Sequence, residues 1–234
     1  MKLENINNNV VVNQKPDSPA ARTELVFIVD RSGSMYGLEE DTVGGINAVL
    51  EANRKLSGEV TVSTVLFNTE TQVLNDREDI KAVVPLTRDD YVPGGCTALL
   101  DAVGGGIRHV EKVQKYMPDG HKADKVIFVI TTDGLENASR KYSYRDVKKA
   151  ISAKTEQGWE FLFLGANIDA AAEAGRLGIA EDRACEYVAD SLGSKAMYNA
   201  VADATCCMRS APKAARPDGS WREKIFKDRA SRGK

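Results

Sequence analysis

The sequence predicts an α/β fold in which a mostly parallel sheet carries helices on both faces. Short apolar runs alternate with longer segments whose apolar residues recur every three or four positions, a pattern typical of strand–helix–strand units. The six predicted strands cover residues 24–30, 60–67, 72–74, 125–131, 160–164 and 185–188. Only a short connection containing Asn68, Thr69 and Glu70 separates the second strand from the third. We therefore expect a hairpin there, with one short antiparallel strand at the sheet edge.

The predicted helices lie between these strands. They cover residues 38–56, 97–117, 143–157, 168–177 and 191–208. The second helix contains three consecutive glycines at 104–106, and each glycine costs about 1 kcal/mol relative to alanine inside a helix. Two explanations stay open: close packing of this helix on the sheet, or a weak point that lets it shift.

The predicted domain organisation is a polar arm and linker at 1–22, one α/β domain at 23–211 and a basic tail at 212–234. The 234-residue chain is long enough to bury a substantial core. From Lys213 onward, eight Lys or Arg residues face three Asp or Glu residues. The tail also contains the large apolar residues Trp221, Ile225 and Phe226, which we expect to dock on the chain itself, a second copy or another protein.

Composition favours a cytoplasmic protein. The N-terminus lacks a basic region followed by a long apolar stretch, and no apolar run approaches the ~18 residues of a membrane span. The four cysteines (96, 185, 206 and 207) show no Cys-x-x-Cys spacing, which fits reduced thiols. The net charge of −2 gives no general attraction to anionic membranes or nucleic acid, so neither is expected as a partner.

Five oxygen-bearing side chains follow predicted strands or open a predicted helix. They are Asp30, Ser32 and Ser34 after the first strand, Thr97 after Pro93-Gly94-Gly95, and Asp133 at the end of the fourth strand. Each alone could be a turn residue or a helix cap. Together they would lie at the carboxyl edge of the sheet, where open α/β folds bind ligands. Hydroxyl and carboxylate oxygens suit a hard cation such as Mg²⁺, and Mn²⁺ or Ca²⁺ also accept such ligands.

These segments resemble a known motif. Asp-Arg-Ser-Gly-Ser-Met at 30–35, Gly-Gly-Cys-Thr-Ala-Leu at 94–99 and Thr-Thr-Asp-Gly at 131–134 are similar to the metal-ion-dependent adhesion site (MIDAS) of von Willebrand factor type A (vWA) domains. The resemblance covers roughly 22–210 and points to a stand-alone protein of bacterial or phage type. It implies a doubly wound sheet with the metal at its carboxyl edge. Cys96 departs from the small or hydroxyl residue that often precedes the threonine.

The resemblance also implies roles for the five residues. Ser32, Ser34 and Thr97 would ligate Mg²⁺ through their hydroxyls, while Asp30 and Asp133 would act mainly through bound waters. An exposed Asp or Glu of a partner protein would then complete the coordination of the metal. Five loop residues are predicted to ring the site and set specificity: Tyr36, Gly37, Tyr91, Asn137 and Arg140. Local packing is the alternative for Tyr36 or Tyr91.

Two other functions compete with this interaction module. A Mg²⁺-dependent hydrolase is disfavoured, because Ser32 stands where an aspartyl phosphatase would carry a second acid, and no phosphate-binding loop or Gly-x-Ser-x-Gly elbow occurs. His109 and His121 are expected to face solvent without a partner, so we do not expect an enzyme. The other competitor is an assembly subunit that uses the arm and tail, with self-association through the tail.

Overall fold

The computed structural model describes residues 21–211 and 218–233, which form a six-stranded sheet with the strand order β3-β2-β1-β4-β5-β6. The strands are β1 (Arg22–Asp30), β2 (Glu59–Phe67), β3 (Thr71–Asp79), β4 (Lys125–Thr132), β5 (Glu160–Ala166) and β6 (Ala184–Tyr187). All neighbouring strands pair in parallel except β2 and β3. The predicted mostly parallel sheet with one antiparallel edge strand is therefore confirmed, but this strand is not short: β3 has nine residues, as many as β1 and β2.

Six α-helices accompany the sheet in the described residues. They are α1 (Glu39–Arg54), α2 (Leu99–Tyr116), α3 (Tyr144–Glu156), α4 (Ala170–Leu177), α5 (Ser191–Ser210) and α6 (Glu223–Ser231). The first five match the predicted helices, and α6 was not predicted. Neither described stretch contains a helix with the length and apolar character that a membrane span requires.

The sheet separates two hydrophobic layers. In the central strand β1, Leu25, Phe27 and Val29 face the layer formed with α1, α5 and α6. Val26 and Ile28 face the opposite layer, formed with α2, α3 and α4. Because strand side chains alternate between faces, a continuous apolar run such as that of β1 requires cover on both sides.

Two of the three consecutive glycines of α2 allow close packing, whereas a Cβ atom at Gly105 would meet nothing within 4 Å. A Cβ atom added at Gly106 would lie 3.1 Å from Ile28 of the sheet, and one added at Gly104 would lie 2.6 Å from the ring of Tyr142. These contacts favour the packing explanation for the glycines over a weak point.

His109 on the same helix does have a partner, contrary to prediction: its Nε2 lies 2.8 Å from Oδ1 of Asp76 on β3.

The apolar residues of the C-terminal segment dock on the chain's own surface. Trp221 and Ile225 are buried in the same layer as α1 and α5. The indole N–H of Trp221 donates to the carbonyl of Asp182 at 3.0 Å. Phe226 remains 45% exposed. The domain boundary at 211/212 stays a prediction, and residues 1–20 of the predicted arm lie outside the described residues.

Candidate metal centre

The candidate centre lies where the chain connections diverge. β1 continues into α1 on one face of the sheet, whereas β4, its neighbour, continues into α3 on the opposite face. A crevice forms outside the carboxyl ends of strands at such a reversal. Three loops surround it: the first loop (31–38), the second loop (91–98) and the third loop (133–143).

Asp30 is fully buried at the end of β1, and both its carboxylate oxygens accept hydrogen bonds. Oδ1 accepts from the backbone N–H of Ser32 at 2.6 Å, and Oδ2 accepts from the hydroxyl of Thr132 at 2.6 Å. Burial raises the pKa of Asp30, although these hydrogen bonds oppose the rise. Sequence reasoning did not single out Thr132, whose position directly before Asp133 was the available signal.

Ser32, Ser34 and Asp133 form a continuous polar contact. The hydroxyls of Ser32 and Ser34 are 3.1 Å apart, and the Ser34 hydroxyl donates to Oδ1 of Asp133 at 2.5 Å. The other carboxylate oxygen of Asp133, Oδ2, is buried without a hydrogen-bond partner. Burial raises the pKa of Asp133. Since an unpaired buried carboxylate oxygen is costly, this atom calls for a cation or a donor.

Thr97 is buried beside these groups, just before α2 begins. Its backbone N–H donates to the side chain of Asn137 at 2.8 Å, and its carbonyl accepts from the Asn137 N–H at 3.0 Å. A Cβ added at Gly134 would lie 3.5 Å from Oγ1 of Thr97 and 3.7 Å from Oγ of Ser34. All five predicted side chains thus lie in one crevice, and their role as metal ligands remains a prediction.

The second loop braces the first. Gly33 donates its backbone N–H to the carbonyl of Gly95 at 3.1 Å, and Gly94 donates to the carbonyl of Arg31 at 2.8 Å. The Tyr91 hydroxyl donates to the carbonyl of Asp30.

Tyr91 is buried, so it has no place on the specificity rim and the alternative of local packing holds: its ring packs in the core while its hydroxyl fixes the end of β1. The other four predicted rim residues are exposed: Tyr36, Gly37, Asn137 and Arg140.

The donor set fits a hard divalent cation. It contains only hydroxyl and carboxylate oxygens, which Mg²⁺, Mn²⁺ and Ca²⁺ prefer over soft ligands. Within residues 21–211 and 218–233, no group of three or more His, Cys, Asp or Glu side chains could hold a metal. The two carboxylates therefore depend on the three hydroxyls to complete a binding site. The unpartnered Oδ2 of Asp133 is the atom that such an ion would satisfy.

No protein-family model and no curated protein matches this sequence. Solved structures do match in fold. Proximal thread matrix protein 1 from the mussel byssus aligns with a TM-score of 0.58 and 13% identity over 80% of this chain and 47% of that chain. The vWF domain of the type V pili tip protein Mfa5 from Porphyromonas gingivalis aligns with a TM-score of 0.56 and 10% identity over 85% of this chain and 99% of that chain.

A von Willebrand factor type A structure from Catenulispora acidiphila aligns with a TM-score of 0.52 and 16% identity over 78% of this chain and 42% of that chain. The mussel protein is also known with a zinc-occupied MIDAS motif, and that form aligns with a TM-score of 0.54. The chain spans about half the length of the mussel protein. At these identities the likeness establishes the fold and nothing finer. The chain has the α/β fold of von Willebrand factor type A domains.

Proposed function

We propose that this chain is an interaction module that binds an acidic side chain of another protein through a divalent cation. Ser32, Ser34 and Thr97 would hold the cation through their hydroxyls, and Asp30 and Asp133 would act mainly through bound waters. Mg²⁺ is the proposed ion, with Mn²⁺ or Ca²⁺ as acceptable substitutes. The observation that carries the proposal is the buried Oδ2 of Asp133, which lacks a hydrogen-bond partner beside the two serine hydroxyls.

The residues around the crevice have different proposed roles. Both oxygens of Asp30 already accept hydrogen bonds, so this carboxylate is placed to orient the Ser32 backbone and the Thr132 hydroxyl. Ser34 is exposed and so faces a ligand arriving from solvent. A divalent cation held by neutral hydroxyls keeps its electrophilic character and offers a position for a carboxylate oxygen.

Catalysis has less support. His109 pairs with Asp76 on the edge strand β3, so it contacts none of the five candidate metal-site residues through this bond. Two of the structural neighbours named above are described as a thread matrix protein and a pili tip protein. The assembly alternative needs apolar groups of the tail that are free to contact another molecule, and the burial of Trp221 and Ile225 within the chain itself leaves fewer of them. Phe226 is the tail's remaining exposed large apolar side chain among the described residues, and Phe226→Ser with sedimentation analysis tests self-association through it.

The test of the proposed function is capture of partner proteins from lysate with Mg²⁺ or with EDTA. Capture should require the cation and should be lost in Asp133→Ala and in the double variant Ser32→Ala/Ser34→Ala. Ser152→Ala, which alters an exposed serine on α3, serves as the matched control and should capture normally. Capture that persists in EDTA and in both site variants would contradict the proposal.

A further inference from the structure

Three large apolar side chains are exposed on the three loops that surround the candidate centre. Tyr36 on the first loop is 65% exposed, Val92 on the second is 61% exposed and Leu135 on the third is 54% exposed. We call these three residues the apolar collar. Single exposed apolar residues are common on proteins, but a group of them gathered around one crevice marks an interaction surface.

The chain connections place the collar beside the crevice. Tyr36 is two residues after Ser34, and Leu135 is two residues after Asp133. The Tyr36 hydroxyl lies 3.7 Å from the position that a Cβ of Gly94 would occupy, so the first and second loops meet there. Val92 is held between Tyr91, which bonds to Asp30, and Gly94, which bonds to Arg31.

The acidic groups Glu39 and Glu136 near the collar are engaged within the protein. Both carboxylate oxygens of Glu136 accept hydrogen bonds, from the backbone N–H groups of Leu100, Ala138 and Ser139 and from the Ser139 hydroxyl. Glu39 accepts from the backbone of Gly37. The second loop contains no charged residue between 91 and 98. Arg140 and Lys141 are exposed at the far end of the third loop, and Arg31 is half-buried beneath the first, with its Nε lacking a hydrogen-bond partner.

We infer that the partner presents its acidic residue between apolar side chains, rather than as one member of an acidic cluster. This inference rests on the proposed function of the same site. Apolar neighbours that cover the collar exclude water from its centre, and a charge interaction is stronger where water is excluded. A highly acidic ligand would instead bring further carboxylates against the apolar side chains of the collar, and their desolvation would oppose binding.

The test uses a displayed library of cyclic peptides with one fixed aspartate and randomised neighbours. Binders are selected on the full chain in Mg²⁺ and eluted with EDTA. We expect the eluted peptides to be enriched in apolar residues beside the aspartate. Eluted peptides with charged or polar neighbours would overturn this inference and leave the proposed function standing. A library that yields no EDTA-released binder would contradict the proposed function and the inference with it.

Collar variants then identify the surface that selects these peptides. Tyr36→Ser and Leu135→Ser should each weaken binding of a selected synthetic peptide about tenfold, since each removes apolar area buried at the contact. Mn²⁺ affinity, measured by calorimetry, should not change, because neither side chain belongs to the proposed ligand set. Val84→Ser, at a valine 74% exposed on the connection between β3 and α2, is the matched control. Equal peptide affinity in the collar variants and the control would overturn the inference.

Discussion

The C-terminal helix α6 is anchored to the domain by Ile225, whose side chain is only 1% exposed. Replacing it with alanine removes buried apolar carbons and leaves a cavity between α6 and the layer that contains α5. Such substitutions typically cost about 2–5 kcal/mol. For a domain of this size, each kcal/mol lowers the melting temperature by about 2–4 °C. We therefore expect Ile225→Ala to melt at least about 4 °C below the unmodified chain, and about 6–12 °C below it for a loss near 3 kcal/mol.

The measurement is thermal unfolding followed by circular dichroism, with Phe226→Ala as the control. Phe226 is the next residue on the same helix but is 45% exposed, so its truncation should cost far less. Equal shifts for the two variants would refute the packing of α6 on the domain. That result would also mean that Ile225 is available for contacts with a second copy, and so would favour the assembly alternative.

Three further predictions concern the crevice and the core. Mg²⁺ at about 100 times its Kd should raise the free energy of unfolding by about 2.7 kcal/mol, and Asp133→Ala should abolish this gain; an equal gain in the variant would contradict the proposed site. Burial raises the pKa of Glu24 above its ordinary value of 4.5, so the stability it contributes at low pH is lost as pH rises through that raised pKa. The free energy of unfolding, measured with urea, should therefore decline less steeply above about pH 4.5 in Glu24→Gln than in the unmodified chain; the same pH dependence in both proteins would refute this. Gly44→Ala should stabilise α1 by about 1 kcal/mol, whereas Gly45→Ala should destabilise the protein because its Cβ would lie 2.0 Å from the ring of buried Tyr198; equal effects in chemical unfolding would contradict that contact.

The parts of the fold with strong local patterns were predictable from sequence. The apolar residues of α2 recur at helical spacing, and β1 and β4 are nearly continuous apolar runs. β3 runs from Thr71 to Asp79 and is therefore longer than the predicted 72–74. Its second half was missed because it is polar and lies on an exposed edge of the sheet, so it has no apolar pattern. The helix α6 was missed because its few apolar residues are interspersed with charged ones, so burial against α5 decides its structure.

The candidate site shows the same division between local and long-range information. Asp30, Ser32, Ser34, Thr97 and Asp133 were found because oxygen-bearing residues after strands and at the start of a helix form a recognisable pattern. Contacts between distant segments could not be read in this way. The bond from the Tyr91 hydroxyl to the Asp30 carbonyl and the pairing of His109 with Asp76 each join residues more than thirty positions apart. Such pairs depend on the register between elements, which composition and periodicity do not specify.

The divergence of the chain at the carboxyl edge has a consequence for redesign. The crevice exists because β1 and β4 send their connections to opposite faces of the sheet. The side chains of these two strands are buried in the core, whereas the collar residues lie on loops and their side chains are exposed to solvent. New sequences can therefore be grafted at Tyr36, Val92 and Leu135 with little loss of stability, so these three positions suit the engineering of new binding specificities.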